Sequence, residues 1–194
     1  MRVLVLLITC LLGGSVITDE TAERWVVSDK SNVKIVGSSN VNKFNCLLVD
    51  YSRDEELVSN EDMYGFKFEP GTISLRIDQF DCGHQVMNKD FVEALNGIDY
   101  PYIQLKLQKI DLRTELNGIG VFEVEISGQV KECVVMDLNL FKTIDTLVIR
   151  GKKAFSMRDF GIDPPSKLFG LIQVEDIITI DFDLVLNKLE TPRE

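Results

Sequence analysis

Apolar and polar residues alternate with a period of two along much of the chain, the mark of strands that bury one face. Ile73, Leu75 and Ile77 share one side of such a run, against Ser74, Arg76 and Asp78. Ile103, Leu105 and Leu107 oppose Gln104 and Lys106. Phe122, Val124 and Ile126 oppose Glu123 and Glu125, and Ile178, Ile180, Phe182 and Leu184 oppose Thr179, Asp181 and Asp183. In these last two runs every carboxylate falls on the polar side. Shorter strands are predicted at 25–27, 33–36, 44–49, 66–68, 134–140 and 147–154. Turn-forming strings separate the runs: Glu69-Pro70-Gly71, Asn117-Gly118, Ser127-Gly128 and Asp163-Pro164-Pro165. Asn117-Gly118 reads as a hairpin turn, since both residues tolerate positive φ.

One helix interrupts the alternation. Asn88 is its expected cap, Asp90 lies in its first turn, Phe91, Val92 and Leu95 form its apolar side, and Asn96-Gly97 ends it. Residues Ser166 to Phe169 read as one further turn. With no long helices between strands, the class is all-β. One-sided strands must pair as a sandwich or close as a barrel, and closure removes the edges. A barrel of about eight strands can leave room for one small ligand.

The 194 residues correspond to one domain. The first stretch is not fold material: Arg2 precedes the uncharged run Val3 to Leu12, and Gly13, Gly14 and Ser15 follow. That is the layout of a secretory signal, cut after Ser15 or Thr18. We therefore expect a leader over 1–18, a domain over 19–194, and a periplasmic or secreted protein. The leader run is shorter than the roughly 20 apolar residues that span a bilayer. A net charge of −10 opposes binding to nucleic acid. Cys10 leaves with the leader. Of the rest, Cys46 and Cys82 share similar settings, Phe-Asn-Cys and Phe-Asp-Cys, which favours a disulfide between them. Cys133 opens the apolar string CVVM and is expected as a buried free thiol.

Catalytic signals are sparse. His84 is the sole histidine, so any histidine-based mechanism depends on it. No zinc-ligand spacing, glycine-rich phosphate cradle or nucleophile elbow occurs. No metal and no resident cofactor are expected. The string Arg158-Asp159-Phe160-Gly161 reads as a structural corner, with a second reading in which Arg158 meets a ligand headgroup at a barrel mouth.

At that string the sequence resembles the YceI-like family of exported polyisoprenoid-binding proteins. The opening WVVSDKSNVKIVG resembles the family's tryptophan-led first hairpin, through Trp25, Asp29 and Ser31. MNKDFVEALNGIDYPYIQLKLQKI resembles its short helix, Tyr-Pro pair and following strand, through Asp90, Phe91, Tyr100 and Pro101. VFEVEISGQVKECVVMDLNL resembles a family hairpin, and FSMRDFGI with IITIDFDLVL resembles its closing segment. The chain departs from the family in Gln129-Val130-Lys131-Glu132, where a threonine-containing turn is usual, and in its FNC and FDC cysteines.

The resemblance implies an antiparallel, lipocalin-like β-barrel of about eight strands with one short helix, holding a bound isoprenoid, quinone or other lipid. It also allows a homodimer. The inward series predicted to meet the ligand is Ile73, Leu75, Ile77, Ile103, Leu105, Leu107, Phe122, Val124, Ile126, Ile178, Ile180 and Phe182, with Arg158 at the mouth. The alternatives are a structural or interaction barrel filled by its own side chains and, third, an enzyme.

Overall fold

The computed structural model describes residues 22–51, 54–69 and 71–190. The expected leader and Pro70 of the first turn string lie outside them. The chain runs β1 (Glu23–Val27), β2 (Asn32–Ser38), β3 (Lys43–Leu48), β4 (Glu56–Asp62), β5 (Gly65–Phe68) and β6 (Ile73–Arg76). A 3-10 turn (Ile77–Gln79), β7 (Phe80–Asp81) and the helix α1 (Gln85–Ala94) follow. Next come β8 (Tyr102–Leu112), β9 (Asn117–Ile126), β10 (Gln129–Lys142) and β11 (Thr146–Ser156). A second 3-10 turn (Met157–Phe160) leads to a small hairpin, β12 (Ser166–Lys167) and β13 (Ile172–Gln173), and β14 (Ile177–Lys188) ends the sheet.

The all-β class with one short helix is observed, but the expected eight-stranded lipocalin-like barrel is not. Twelve strands form one antiparallel sheet in the order β1-β4-β5-β8-β9-β10-β11-β14-β2-β3-β7, with β6 beside β8. The sheet curves until β1 touches β14, from Trp25 opposite Lys188 to Val27 opposite Leu186. It does not close into a barrel. Further along β14, the branch β2-β3-β7 continues outward and ends at the short β7, while β6 pairs only with β8. The physical cause lies in the 3-10 turn Ile77–Gln79, which takes the chain out of extended geometry between β6 and β7. The free edge is managed in other ways. The Cys46–Cys82 disulfide ties β3 to the end of β7, as the paired settings predicted. Phe91 of α1 packs on Phe80 of β7, ring centres 5.3 Å apart.

Local departures from the sequence reading have identifiable causes. Helix α1 starts earlier than expected: His84 is its cap, and its Nδ1 accepts from the Val86 amide at 3.2 Å. Asn88 instead sits one turn inside. Its Oδ1 accepts from the Cys82 amide at 2.7 Å, fixing the disulfide arm to the helix. Asn117-Gly118 is not a turn but the start of β9. The bend falls just before it, where the Arg113 and Thr114 amides donate to the Asn117 carbonyl. Ser127 and Gly128 do form the β9–β10 turn, with φ of 51° and 74°. The turn expected over Ser166–Phe169 is part of the β12–β13 hairpin. β4 escaped the periodicity because its inward row includes Ser59, which is buried and accepts from the Trp25 indole at 2.9 Å. No helix among the described residues is long and apolar enough to cross a membrane.

The enclosed face has two unlike halves. At the Trp25 end the interior is solid: Trp25, Leu57, Ile110, Leu138, Leu147, Ile149 and Leu186 are all fully buried. At the α1 end the same inward rows border open space. The boundary is set by two glycines. A Cβ on Gly120 would meet Phe122 and Leu138 at 2.7 and 2.5 Å, and one on Gly151 would meet Phe182 and Leu138 at 2.7 and 2.6 Å. Only glycine lets these large side chains lie across the sheet there. Phe122 and Phe182 meet edge to face, with centres 5.7 Å apart.

Candidate functional site

The inward rows of β6, β8, β9 and β14 converge on a cavity of about 100 Å³ at the α1 end. Its wall includes Ile73 and Leu75 from β6, Ile103 and Leu105 from β8, and Phe122, Val124 and Ile126 from β9. Ile178, Ile180 and Phe182 come from β14. These side chains are brought together because the strands are register-matched: Leu75 lies opposite Ile103, Leu105 opposite both Ile73 and Val124, and Phe122 opposite Leu107. α1 contributes Phe91, and Leu95 caps its C-terminal end at the same wall.

Two members of the predicted series do not line this space. Leu107 is fully buried, and the register shift between Leu107 and Lys109 carries β8 away there. Ile77 lies in the 3-10 turn and is likewise buried in packing. Arg158 is exposed and outside the lining. Its guanidinium pairs with Asp176 at 3.5 Å, and its amide donates to the same carboxylate at 3.2 Å. Asp176 also accepts from Ser156 at 2.6 Å; this hydrogen bond, with the Arg158 contacts, holds its pKa below the usual carboxylate value. The Arg158-Asp159-Phe160-Gly161 string is thus a corner: a 3-10 turn with Phe160 buried against Phe155, closed by Gly161 at φ 68°.

Three of the four outward carboxylates in the runs of β9 and β14 are paired with lysine or arginine. Glu123 holds Lys106 at 2.6 Å, Asp183 holds Arg150 at 3.3 Å, and Asp181 holds Lys152 and Lys34 at 3.0 and 3.4 Å. Burial acts to raise the Asp181 pKa, but the two lysines outweigh it and leave it lowered. Among the described residues no group of three or more His, Cys, Asp or Glu is placed to hold a metal ion. His84 is occupied in capping α1.

Many wall residues were not in the predicted series, among them Val33, Ile35, Leu48, Val135 and Phe155, and two of them carry reactive or charged groups. Cys133, the buried free thiol, faces the cavity from β10. Burial pushes its pKa up, and the nearby charge of Lys153 acts the other way. Lys153 itself lies on the inward row of β11, in line with Ile149 and Gly151, and borders the cavity. The signal was present in the alternation of 147–154, where Leu147, Ile149, Gly151 and Lys153 share a side. The lysine concealed it.

Comparison with known proteins places this architecture. BcnA from Burkholderia cenocepacia superposes with a TM-score of 0.59 at 15% identity, over 80% of this chain and 96% of that one. A polyisoprenoid binding domain from Saccharophagus degradans, implicated in plant cell wall breakdown, superposes with a TM-score of 0.62 at 10% identity. That match covers 87% of this chain and all of the domain (100%). A YCEI protein from Campylobacter jejuni gives 0.56 at 15% identity, over 71% and 83% of the two chains. The chain has the YceI-like fold. The likeness is carried by structure: no family model matches the sequence, and no curated protein matches it. Within the YceI-like fold, the residues quoted for the resemblance do structural work. Trp25 is fully buried, and Ser31 accepts from the Val185 amide at 3.0 Å, clipping β14 to the turn before β2.

Proposed function

We propose that this chain binds an apolar molecule in the cavity between its β-sheet and α1, and acts as a binding protein rather than a catalyst. The observation that carries the reading is the cavity wall. Phe182, Ile178 and Ile180 stay only partly buried although they face inward. Such apolar surface, left open inside a protein, is favourable to cover, by about 0.8 kcal/mol for each buried CH₂. A ligand held this way needs no polar motif. The polyisoprenoid binding domain of Saccharophagus degradans shares the fold, which supports an isoprenoid or similar lipid as the class. The leader-like pattern of residues 1–18 and the Cys46–Cys82 disulfide support an exported protein, since disulfides persist in oxidising compartments.

One observation favours the second reading, an interior filled by its own side chains. The cavity of about 100 Å³ is smaller than the roughly 300–1,000 Å³ of ordinary ligand pockets. A long chain therefore needs more room than the cavity has here. Calorimetric titration of protein stripped of lipid with decanol decides between the readings. Saturable uptake of one molecule, lost in a Leu105→Glu variant that remains folded by circular dichroism, is expected. No uptake by the stripped wild type, or undiminished uptake by folded Leu105→Glu, overturns the binding reading.

A further inference from the structure

We propose that the seam between β10 and β11 is a headgroup subsite, where Lys131 and Lys153 hold the anionic end of an amphiphile whose tail enters the cavity. This rests on the apolar-ligand reading above and narrows it. The two strands pair only from Asn139 opposite Arg150 to Lys142 opposite Leu147. Beyond that, β10 continues to Gln129 and β11 to Ser156, but no ladder joins them. β10 turns away at the irregularity between Val135 and Leu138, where Asp137 takes φ 55°. The 3-10 turn Met157–Phe160 lies against both strands and fills part of the gap.

The inward rows that border this seam carry two cations. Lys131 lies opposite Val124 on β9, and Lys153 lies opposite Ile180 on β14. Both opposite residues line the cavity, so both lysines belong to its side of the sheet. Lys131 is exposed just past Cys133, and Lys153 is half-buried. Neither side-chain ammonium makes a hydrogen bond or ion pair among the described residues, although the Lys131 carbonyl accepts from the Cys133 thiol at 3.8 Å. The contrast with the outer face is sharp: Lys34, Lys106 and Lys152 each hold a carboxylate. Asp159 and Glu132 lie close enough to act on the Cys133 thiol, yet neither is within ion-pair distance of the two lysines.

A lysine stem covers apolar surface while its ammonium keeps to the polar side. Here the stem of Lys153 belongs to the cavity wall, so its charge is left to the cavity's rim. An amphiphile with its tail along Phe122 and Ile180 would bring its head to that rim. A carboxylate or phosphate there gains charge-assisted hydrogen bonds that a hydroxyl does not. The acidic remainder of the molecule opposes this weakly, since charges more than about 8–10 Å away are screened at physiological ionic strength.

The test compares decanoate, decyl phosphate and decanol, which share a tail and differ in the head. Titrations use the wild type, Lys153→Met, Lys153→Arg and the Lys131→Met/Lys153→Met double variant, each checked for folding by circular dichroism. The wild type should bind at least one anion about tenfold or more tighter than decanol, and the anion preferred identifies the headgroup as carboxylate or phosphate. The preference should shrink in Lys153→Met, vanish in the double variant, persist in Lys153→Arg and weaken in high salt. Decanol, titrated into each variant, reports the contribution of the tail and wall alone, so each anion's preference is taken as its ratio to decanol in the same variant. A wild type that binds all three equally, or a double variant that keeps the preference, overturns the subsite while leaving apolar binding intact. Failure of all three probes to bind overturns both readings.

Discussion

Phe182 shows how much a single inward residue can decide. It meets Phe122 edge to face across the glycine gap, yet part of its surface faces the cavity. Truncating a fully packed phenylalanine costs about 3–5 kcal/mol. Phe182→Ala should cost the low end of that range or less, because its contacts are already incomplete on one side. The same variant should take up a longer alcohol than the wild type does. Urea unfolding gives the first quantity and calorimetric titration the second. A loss above about 5 kcal/mol with no change in chain-length preference would mean that Phe182 is packing alone. At this scale the sequence was informative about direction but not about depth. Alternation placed Leu105 and Leu107 on one face, but nothing local announces the register shift that seals Leu107 into packing and leaves Leu105 on the cavity. Lys153 was missed for a different reason. A charge on an inward row looks like a break in the pattern, whereas here it marks the seam.

Among the elements, the arm from β6 through β7 to α1 depends most on a covalent tie. β7 meets β3 over only Leu47 opposite Asp81 and Leu48 opposite Phe80. Cys46 and Cys82 enclose 36 residues of sequence separation, which the chain-entropy model values at about 3–4 kcal/mol. A Cys46→Ala/Cys82→Ala variant should lose about that much in denaturant unfolding. Its added hydrogen exchange should concentrate at 77–95 rather than in β9 or β14. Uniform acceleration across the sheet would show instead that the tie supports the whole molecule. The pairing itself was readable from the matched settings of the two cysteines. The helix boundary was not, because Asn88 is a good capping residue that the structure uses elsewhere, to accept from the Cys82 amide. His84 carries no comparable signal in the sequence. Asn117-Gly118 misled similarly: a pair that suits a hairpin turn opens β9 instead, since the amides of Arg113 and Thr114 already close the bend.

For the whole molecule, class and likeness were legible and closure was not. Period-two runs with turn signals establish an all-β chain, and the tryptophan-led opening and the Arg-Asp-Phe-Gly corner point to the YceI-like fold. Whether such strands close depends on the 3-10 turn between β6 and β7 and on the branch from β14 to β2. Periodicity does not encode either. The outcome is a curved sheet, solid at the Trp25 end and open at the α1 end. The central claim is that the open end holds an apolar molecule. Native mass spectrometry of the protein purified gently from its own host tests this most directly. The account predicts a mass excess corresponding to one bound molecule, released into organic solvent as an apolar or amphiphilic compound and absent from Leu105→Glu that remains folded. A bare polypeptide mass in repeated preparations, from protein that also takes up no decanol after stripping, would contradict it.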